Sequence, residues 1–273
     1  MSEKRIAIIG GGNLGRAIAR GLAAADFCPP DAIFVTRRSA TALAPLEAEG
    51  FRTSTDNVAA VAEAEIIVVA VRPAQANEVF DSLGPLDPDR QILISTITNV
   101  GIAAIVRHVP EGLPILRAMP NIGVTVGQSM TCLACHPGTP DAARQAAEDL
   151  FNALGRTLYI EEEQMTPATA LCACGIAFFL RAIRAASQGG VQVGFHADEA
   201  IRLAAQTAKG AAELILAHDA HPEPLIDSVT TPLGVTIAGL NEMEHQGFSS
   251  ALIRGIVVSA EKADRLYRAS NDE

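Results

Sequence analysis

The 273-residue chain has no surplus of positive charge. Its 21 lysines and arginines face 31 aspartates and glutamates, a formal net charge of −10. A surface of that sign repels phosphate, so duplex nucleic acid and anionic membrane surfaces are poor partners, and neither is expected. An anionic small molecule is not excluded, because a local pocket can oppose the net charge. No basic segment followed by an apolar core precedes Gly10, which argues against export. The apolar stretch Ala168–Leu180 is too short for a membrane span and reads as a buried helix. The five cysteines, an odd number without an export signal, predict reduced thiols and a cytoplasmic location. A hydrophobic content of 49% supplies real cores and argues against disorder.

A metal centre is also missing from the expected chemistry. Cys132-Leu-Ala-Cys135-His136 matches the C-x-x-C-H signature of covalent haem attachment, but that chemistry belongs to exported proteins. Met130–Ala134 reads as a strand, which would send Cys132 and Cys135 to opposite faces. Cys172-Ala-Cys174 reads as helix packing, since a free cysteine behaves as a small buried hydrophobe. His136, His196, His218, His221 and His245 form no motif, and no acid–base pair is identifiable by spacing.

What is present begins almost at the first residue. The apolar run Ile6–Ile9 leads into Gly10-Gly-Gly-Asn-Leu-Gly15, a G-x-G-x-x-G pattern between a strand signal and a helix signal. Gly10 permits a tight turn, Gly12 lets the backbone approach a pyrophosphate, and Gly15 lets the helix lie close to the sheet. Asn13 and Leu14 open that helix, where free N–H groups can hold an anion. The alternative is a glycine-rich turn with no ligand.

Strand and helix signals then alternate, which argues for an α/β sandwich. Strands are expected at Arg5–Ile9, Ala32–Thr36, Ile66–Ala70, Gln91–Thr96, Ile115–Ala118, Met130–Ala134 and Thr157–Ile160. Helices are expected at Asn13–Ala24, Ala40–Glu49, Ile102–Val106 and Asp141–Leu154. The second strand ends in Thr36-Arg37-Arg38-Ser39, without the carboxylate that an NAD site offers to the ribose hydroxyls. Two guanidinium groups and two hydroxyls could hold a 2′-phosphate, so NADP(H) is favoured over NAD(H); one or both arginines could instead face solvent. Ala70, Val71 and Arg72 follow the central strand at the end where ligands sit, and are candidates to line the nicotinamide half. Arg72 could equally make only a surface salt bridge.

Composition changes at Glu161–Glu163, giving a dinucleotide-binding domain over residues 1–163 and an all-helical one over residues 164–273. Helices are expected at Pro167–Gln188, Asp198–Ala217, Pro222–Ser228, Thr236–Gln246 and Ser249–Arg268. The first is apolar all round, with Leu171, Ile176, Phe178, Phe179, Leu180 and Ile183, and a second chain is the simplest cover for it. A homodimer is therefore expected. Between the later helices, Thr230, Thr231 and Thr236 surround a Pro232/Gly234 turn. Backbone N–H groups and threonine hydroxyls there could bind a carboxylate, or the threonines could merely cap the helix.

Taken in order, these segments resemble the pyrroline-5-carboxylate reductase family over nearly the full length. The similarity runs through Ile6–Arg20, Val69–Gln75 and Arg117-Ala-Met-Pro-Asn121, then Gly194, Ala200, Leu203, Gln206, Thr207 and Gly210. It continues through Leu225, Val229, Thr230-Thr-Pro232, Gly234 and Thr236-Ile-Ala-Gly-Leu240. The resemblance implies a Rossmann-like domain, a helical dimerisation domain, an active site completed by a partner subunit, and assemblies of dimers. It implies hydride transfer from a reduced nicotinamide to the C=N carbon of L-1-pyrroline-5-carboxylate, giving L-proline. On that reading Met119 joins the cofactor residues, Thr236 and Asn121 are the catalytic candidates, and Cys174, Gly175, Thr231, Gly234, Val235 and Thr236 hold the substrate. Cys172-Ala-Cys-Gly-Ile-Ala-Phe178 stands where the family has serine-glycine-serine-glycine-proline-alanine-tyrosine. Leu233 and Val235 replace a glycine and a threonine, and Thr98-Asn99 replaces alanine-glycine. Reduction of another small cyclic imine or keto compound, or a nucleotide-binding regulatory role, is the alternative.

Overall fold

A computed structural model of the chain describes residues 4–271. Its contacts divide into two compact units, one running to Ala173 and rejoined from Ala260, the other spanning Cys174–Ser259.

The first unit is built on eight strands: β1 Ile6–Ile9, β2 Ile33–Thr36, β3 Arg52–Ser54, β4 Ile66–Val69, β5 Ile92–Ser95, β6 Ile115–Met119, β7 Ser129–Cys135 and β8 Gly155–Tyr159. They lie in the order β3-β2-β1-β4-β5-β6-β7-β8. Every neighbouring pair is parallel except β6 and β7. All residues of β1, β4, β5 and β6 are buried, as the continuous apolar runs predict for a sheet covered on both faces. Helices α1 Asn13–Ala24, α2 Ala44–Ala48, α3 Asn57–Glu63, α4 Ala76–Asp81, α5 Ile102–Ile105, α6 Asp141–Asn152 and α7 Met165–Ala168 complete the unit. Side chains alternate across the sheet. Ile6 and Ile8 join Ile18 and Leu22 of α1 and Leu150 and Phe151 of α6, whereas Ala7 and Ile9 join Val61, Phe80 and Ile102 on the opposite face.

Three short elements carry no clear sequence signal. Strand β3 is Arg-Thr-Ser at the sheet edge, and its polar residues need only one neighbour, β2. Helices α3 and α4 are seven and six residues long, too short for a periodic pattern to stand out.

The second unit is helical: α8 Gly175–Gln192, α9 Ala197–His218, α10 Pro222–Ser228, α11 Val235–His245 and the start of α12, Phe248–Asn271. Helix α9 begins earlier than its Asp198 suggested, because His196 and Glu199 form a reciprocal capping box. Helices α8 and α9 pack closely, and a Cβ on Gly190 would come within 3.0 Å of that of Ala200.

The stretch Ala168–Leu180 departs from expectation twice. It belongs to a continuous helical run, Glu162–Gln192, whose 31 residues and mean hydropathy of 1.6 are long and apolar enough, by length and composition alone, to cross a membrane. Nor is it buried within the chain: Leu171, Phe179 and Leu180 are each more than half exposed. The periodicity was apolar on every face, but one chain supplies packing partners for only some of them.

Candidate functional site

The glycine loop leaves β1 and turns at once into α1. Gly10 and Gly11 both donate their N–H groups to the carbonyl of Thr36, at 3.1 and 2.7 Å, which ties the loop to the end of β2. Gly10 has φ +111°, and a Cβ there would lie 2.5 Å from the Ala70 carbonyl oxygen. A Cβ on Gly15 would collide with the Gly10 carbonyl oxygen, so only glycine lets α1 approach the turn this closely. Gly12 is different: a Cβ would meet nothing within 4 Å. Its bare backbone faces open space, and the first-turn N–H groups of Asn13 and Leu14 have no intrahelical acceptor. No side chain caps this helix start. That is the arrangement a dinucleotide pyrophosphate requires.

A cleft of about 940 Å³ opens there, lined by Gly10–Leu14, Thr36–Ser39, Asn57, Ala70–Pro73, Gln75, Thr96 and Thr98 among others. The structure thus brings together every sequence-predicted cofactor residue except Gly15, which packs beneath the loop, and Met119. Met119 is buried with Cys132, Ala134 and Met165 in a small separate core. Arg37 donates to the Gly11 carbonyl at 3.2 Å, setting its guanidinium at the cleft edge, and Arg38 is exposed beside it. The Thr36 hydroxyl is not available to a phosphate: it is buried and donates to Asn57 Oδ1 at 2.6 Å. Asn57 in turn donates to Ser82 at 2.8 Å. Asn57 was not foreseen from sequence, although Asp56 caps α3 immediately before it and marks the helix start. Arg72 is exposed, with its nearest polar partner Gln75 at 3.5 Å.

The Arg117–Asn121 run serves a second junction of the same unit. Arg117 is buried on β6 and donates to Glu162 at 3.1 Å, and the same carboxylate oxygen accepts the Ile102 N–H at 2.7 Å. Asn121 uses both ends of its side-chain amide. Its oxygen accepts the Gly123 N–H at 2.8 Å, and its nitrogen donates to the Cys172 carbonyl at 3.2 Å. Asn121 therefore orders a loop and holds the segment Thr169–Cys174, which is wound as π-helix between α7 and α8. Within that junction Cys172 Sγ lies 3.8 Å from Cys132 Sγ on β7. The hydrogen bond from Cys132 lowers the Cys172 pKa to about 7 against an opposing effect of burial, and raises that of the Cys132 thiol. Cys135 lies on the other face of β7, against the core that contains Leu133 and Phe151.

In the helical unit, Cys174 and Gly175, expected to hold the substrate, continue the run of helix and offer no free helix terminus to a carboxylate. The later turn does present one. Helix α11 starts after Gly234 with no side-chain cap, so the first-turn N–H groups at Val235 and Thr236 are not taken up by a threonine. Thr230 instead donates back to the Ile226 carbonyl at 2.7 Å, and the Thr231 hydroxyl sits where a Cβ on Gly234 would fall. Leu233 is fully exposed with φ +60°, Val235 is 91% exposed, and Thr236 is half-buried between solvent and helix.

The profile described as pyrroline-5-carboxylate reductase dimerisation matches residues 162–266. One described as NADP oxidoreductase, coenzyme F420-dependent, matches residues 5–99. A pyrroline-5-carboxylate reductase 2 of Dictyostelium discoideum is 44% identical over 99% of this chain and 95% of its own. The chain belongs to the pyrroline-5-carboxylate reductase family. The pyrroline-5-carboxylate reductase 1 of the same organism is 49% identical over 97% of this chain, which spans 50% of that relative's length. The crystal structure of a Plasmodium falciparum pyrroline carboxylate reductase with NADP bound superposes with a TM-score of 0.85, at 25% identity, covering 98% of this chain and 99% of that one. A nicotinamide dinucleotide is thus the cofactor type for the cleft, and the family's dimerisation module makes the chain one that associates with copies of itself. Two departures from the family pattern keep the backbone that glycine would adopt. Asn99 and Leu233 stand in glycine positions with φ +64° and +60°. Asparagine tolerates that region well, whereas leucine is strained there.

Proposed function

We propose that this chain reduces L-1-pyrroline-5-carboxylate to L-proline with NADPH as the hydride donor. The observation that carries the proposal is membership of the family along essentially the whole chain, joined to a glycine cleft whose open Gly12 matches a dinucleotide. Bound NADPH supplies the hydride. The loop Gly10–Gly15 and the start of α1 receive the pyrophosphate, while Arg37 and Arg38 hold the 2′-phosphate and select NADPH over NADH. Ala70 and Val71 line the nicotinamide half of the cleft.

The substrate carboxylate rests on the uncapped start of α11, where backbone N–H groups and the Thr236 hydroxyl supply donors without a fixed cation. A carboxylate also keeps the neighbouring imine protonated and electrophilic, so the reaction needs positioning and electrostatic support more than a dedicated acid. Asn121 is a positioning residue on this reading: both ends of its amide are spent on backbone groups. The exposed apolar faces of α8, α9 and α12 are covered in a homodimer, the unit from which higher assemblies would be built. The protein works in the cytoplasm with its thiols reduced.

The deciding experiment follows NADPH oxidation with pyrroline-5-carboxylate beside pyrroline-2-carboxylate and its six-membered analogue. Turnover highest on pyrroline-5-carboxylate supports the assignment. A folded, NADPH-binding dimer that reduces another imine faster, or none, overturns it. Leu233 and Val235 make this comparison informative, because they surround the carboxylate turn with exposed apolar surface.

A further inference from the structure

The thiols of Cys132 and Cys172 face each other where β7 meets the π-helical segment. Cys132 is buried on β7 among Met119, Ala134 and Met165, while Cys172 is half-buried and reachable at the edge of the same cluster. Their sulfurs are 3.8 Å apart, and closing a disulfide would need them to approach by roughly 1.8 Å. The two sides differ in their ability to move. Cys132 sits in a strand paired to both β6 and β8. Cys172 sits in a π-helical segment, a wide turn with less regular hydrogen bonding, held at its carbonyl by a single side-chain bond from Asn121. Of the other three cysteines, Cys28 is buried in the main core, Cys135 points away across the strand, and Cys174 lies at the end of the π-helical segment, beyond Cys172.

We propose that Cys132 and Cys172 form a reversible dithiol–disulfide couple, oxidised by a hydroperoxide and reduced by a small thiol. Cys172 is the attacking sulfur, since it is the more accessible and its thiol, lowered to about 7 by the hydrogen bond from Cys132, is partly ionised at neutral pH. Its thiolate attacks one peroxide oxygen, the O–O bond breaks, and hydroxide leaves behind a Cys172 sulfenic acid. Cys132 gives its proton to that hydroxide, and its sulfur attacks the sulfenic sulfur. The S–O bond breaks and a second hydroxide departs, taking up the proton that Cys172 released on ionising. Two thiols and one hydrogen peroxide thus become one disulfide and two waters. The bond would draw the π segment onto β7 and fix the residues that lead directly into Cys174 and Gly175.

The test is made on the full-length protein with stoichiometric hydrogen peroxide, alkylation of the remaining thiols and peptide mapping. The five free thiols should fall to three, with one linkage, Cys132 to Cys172 within a chain, reversed by dithiothreitol. Cys135→Ser should leave that linkage intact. Cys132→Ser should halt Cys172 at the sulfenic acid, which dimedone traps. Retention of five thiols, a linkage through another cysteine or between chains, or over-oxidation of Cys172 beside an unmodified Cys132 would overturn the couple. Reading the bond by mass keeps this result separate from any failure of the reductase assay.

Discussion

The two units solve the problem of burying apolar surface in opposite ways. In the first, β1, β4, β5 and β6 are buried at every residue, and helices from the same chain cover both sheet faces. In the second, α8 buries only Gly175 and Ser187 fully, while Phe179 and Leu180 stand 59% and 58% exposed. The sheet unit closes its core with its own helices and opens outward at the glycine cleft. The helical unit leaves much of its apolar surface exposed within one chain, which the proposed homodimer would cover. What this teaches is that apolar runs become core in one unit and exposed surface in the other, depending on whether the same chain supplies the cover.

The comparison breaks most visibly if the helical face is charged. Phe179→Asp should weaken dimer association by about a thousandfold or more, since an unpaired carboxylate would enter a dry interface. Sedimentation velocity reads this directly, and a variant that stays dimeric at micromolar concentration would place the interface elsewhere. The sheet unit should retain its secondary structure in the same variant.

A second prediction sharpens the contrast within the cleft itself. Gly12→Ala points a methyl into open space, so thermal stability should change by less than about 0.5 kcal/mol. NADPH affinity should nevertheless drop by about 100-fold, because the methyl occupies the pyrophosphate's place. Gly15→Ala should instead lower stability as well, since its methyl meets the Gly10 carbonyl. Calorimetry with and without NADPH separates the two; equal behaviour would remove the reason for distinguishing these glycines.

Cofactor selectivity is expected to respond more modestly. Replacing Arg37 and Arg38 by alanine removes charge-assisted hydrogen bonds worth roughly 1.5–3 kcal/mol each to a bound 2′-phosphate. The kcat/KM ratio for NADPH over NADH should fall by at least about tenfold in each single variant. An unchanged ratio would leave both side chains as solvated surface.

The smallest effect belongs to the substrate turn. Leu233 holds a left-handed backbone without packing against anything in its own chain. Leu233→Gly should relieve about 1 kcal/mol of strain, partly offset by the freedom glycine gains in the unfolded chain. The helical unit's melting temperature should rise slightly. A clear fall would mean that Leu233 is buried in the assembled protein.

The sheet and the glycine cleft were legible because their signals are local. A run such as Ile66–Val69 is apolar at every position, and glycines at 10, 12 and 15 act through backbone geometry a few residues away. The edge strand Arg52–Ser54 and the cleft residue Asn57 were not legible, because polar residues at a sheet edge look like loop until the neighbouring strand is in place. The thiol pair was invisible for a different reason. Cys132 and Cys172 lie 40 positions apart, and only the return of the chain past β7 sets one sulfur against the other.

By itself the sequence determined the wound sheet, the glycine turn after its first strand, and a surplus of apolar helix in the second unit, because periodicity and backbone permission are properties of short segments. The tertiary structure alone decided that Thr36 spends its hydroxyl on Asn57, that Asn121 is a brace, that α11 starts uncapped, and that two cysteines face one another. Those outcomes depend on which groups meet after long-range packing, and a side chain's hydrogen bonds are assigned only there.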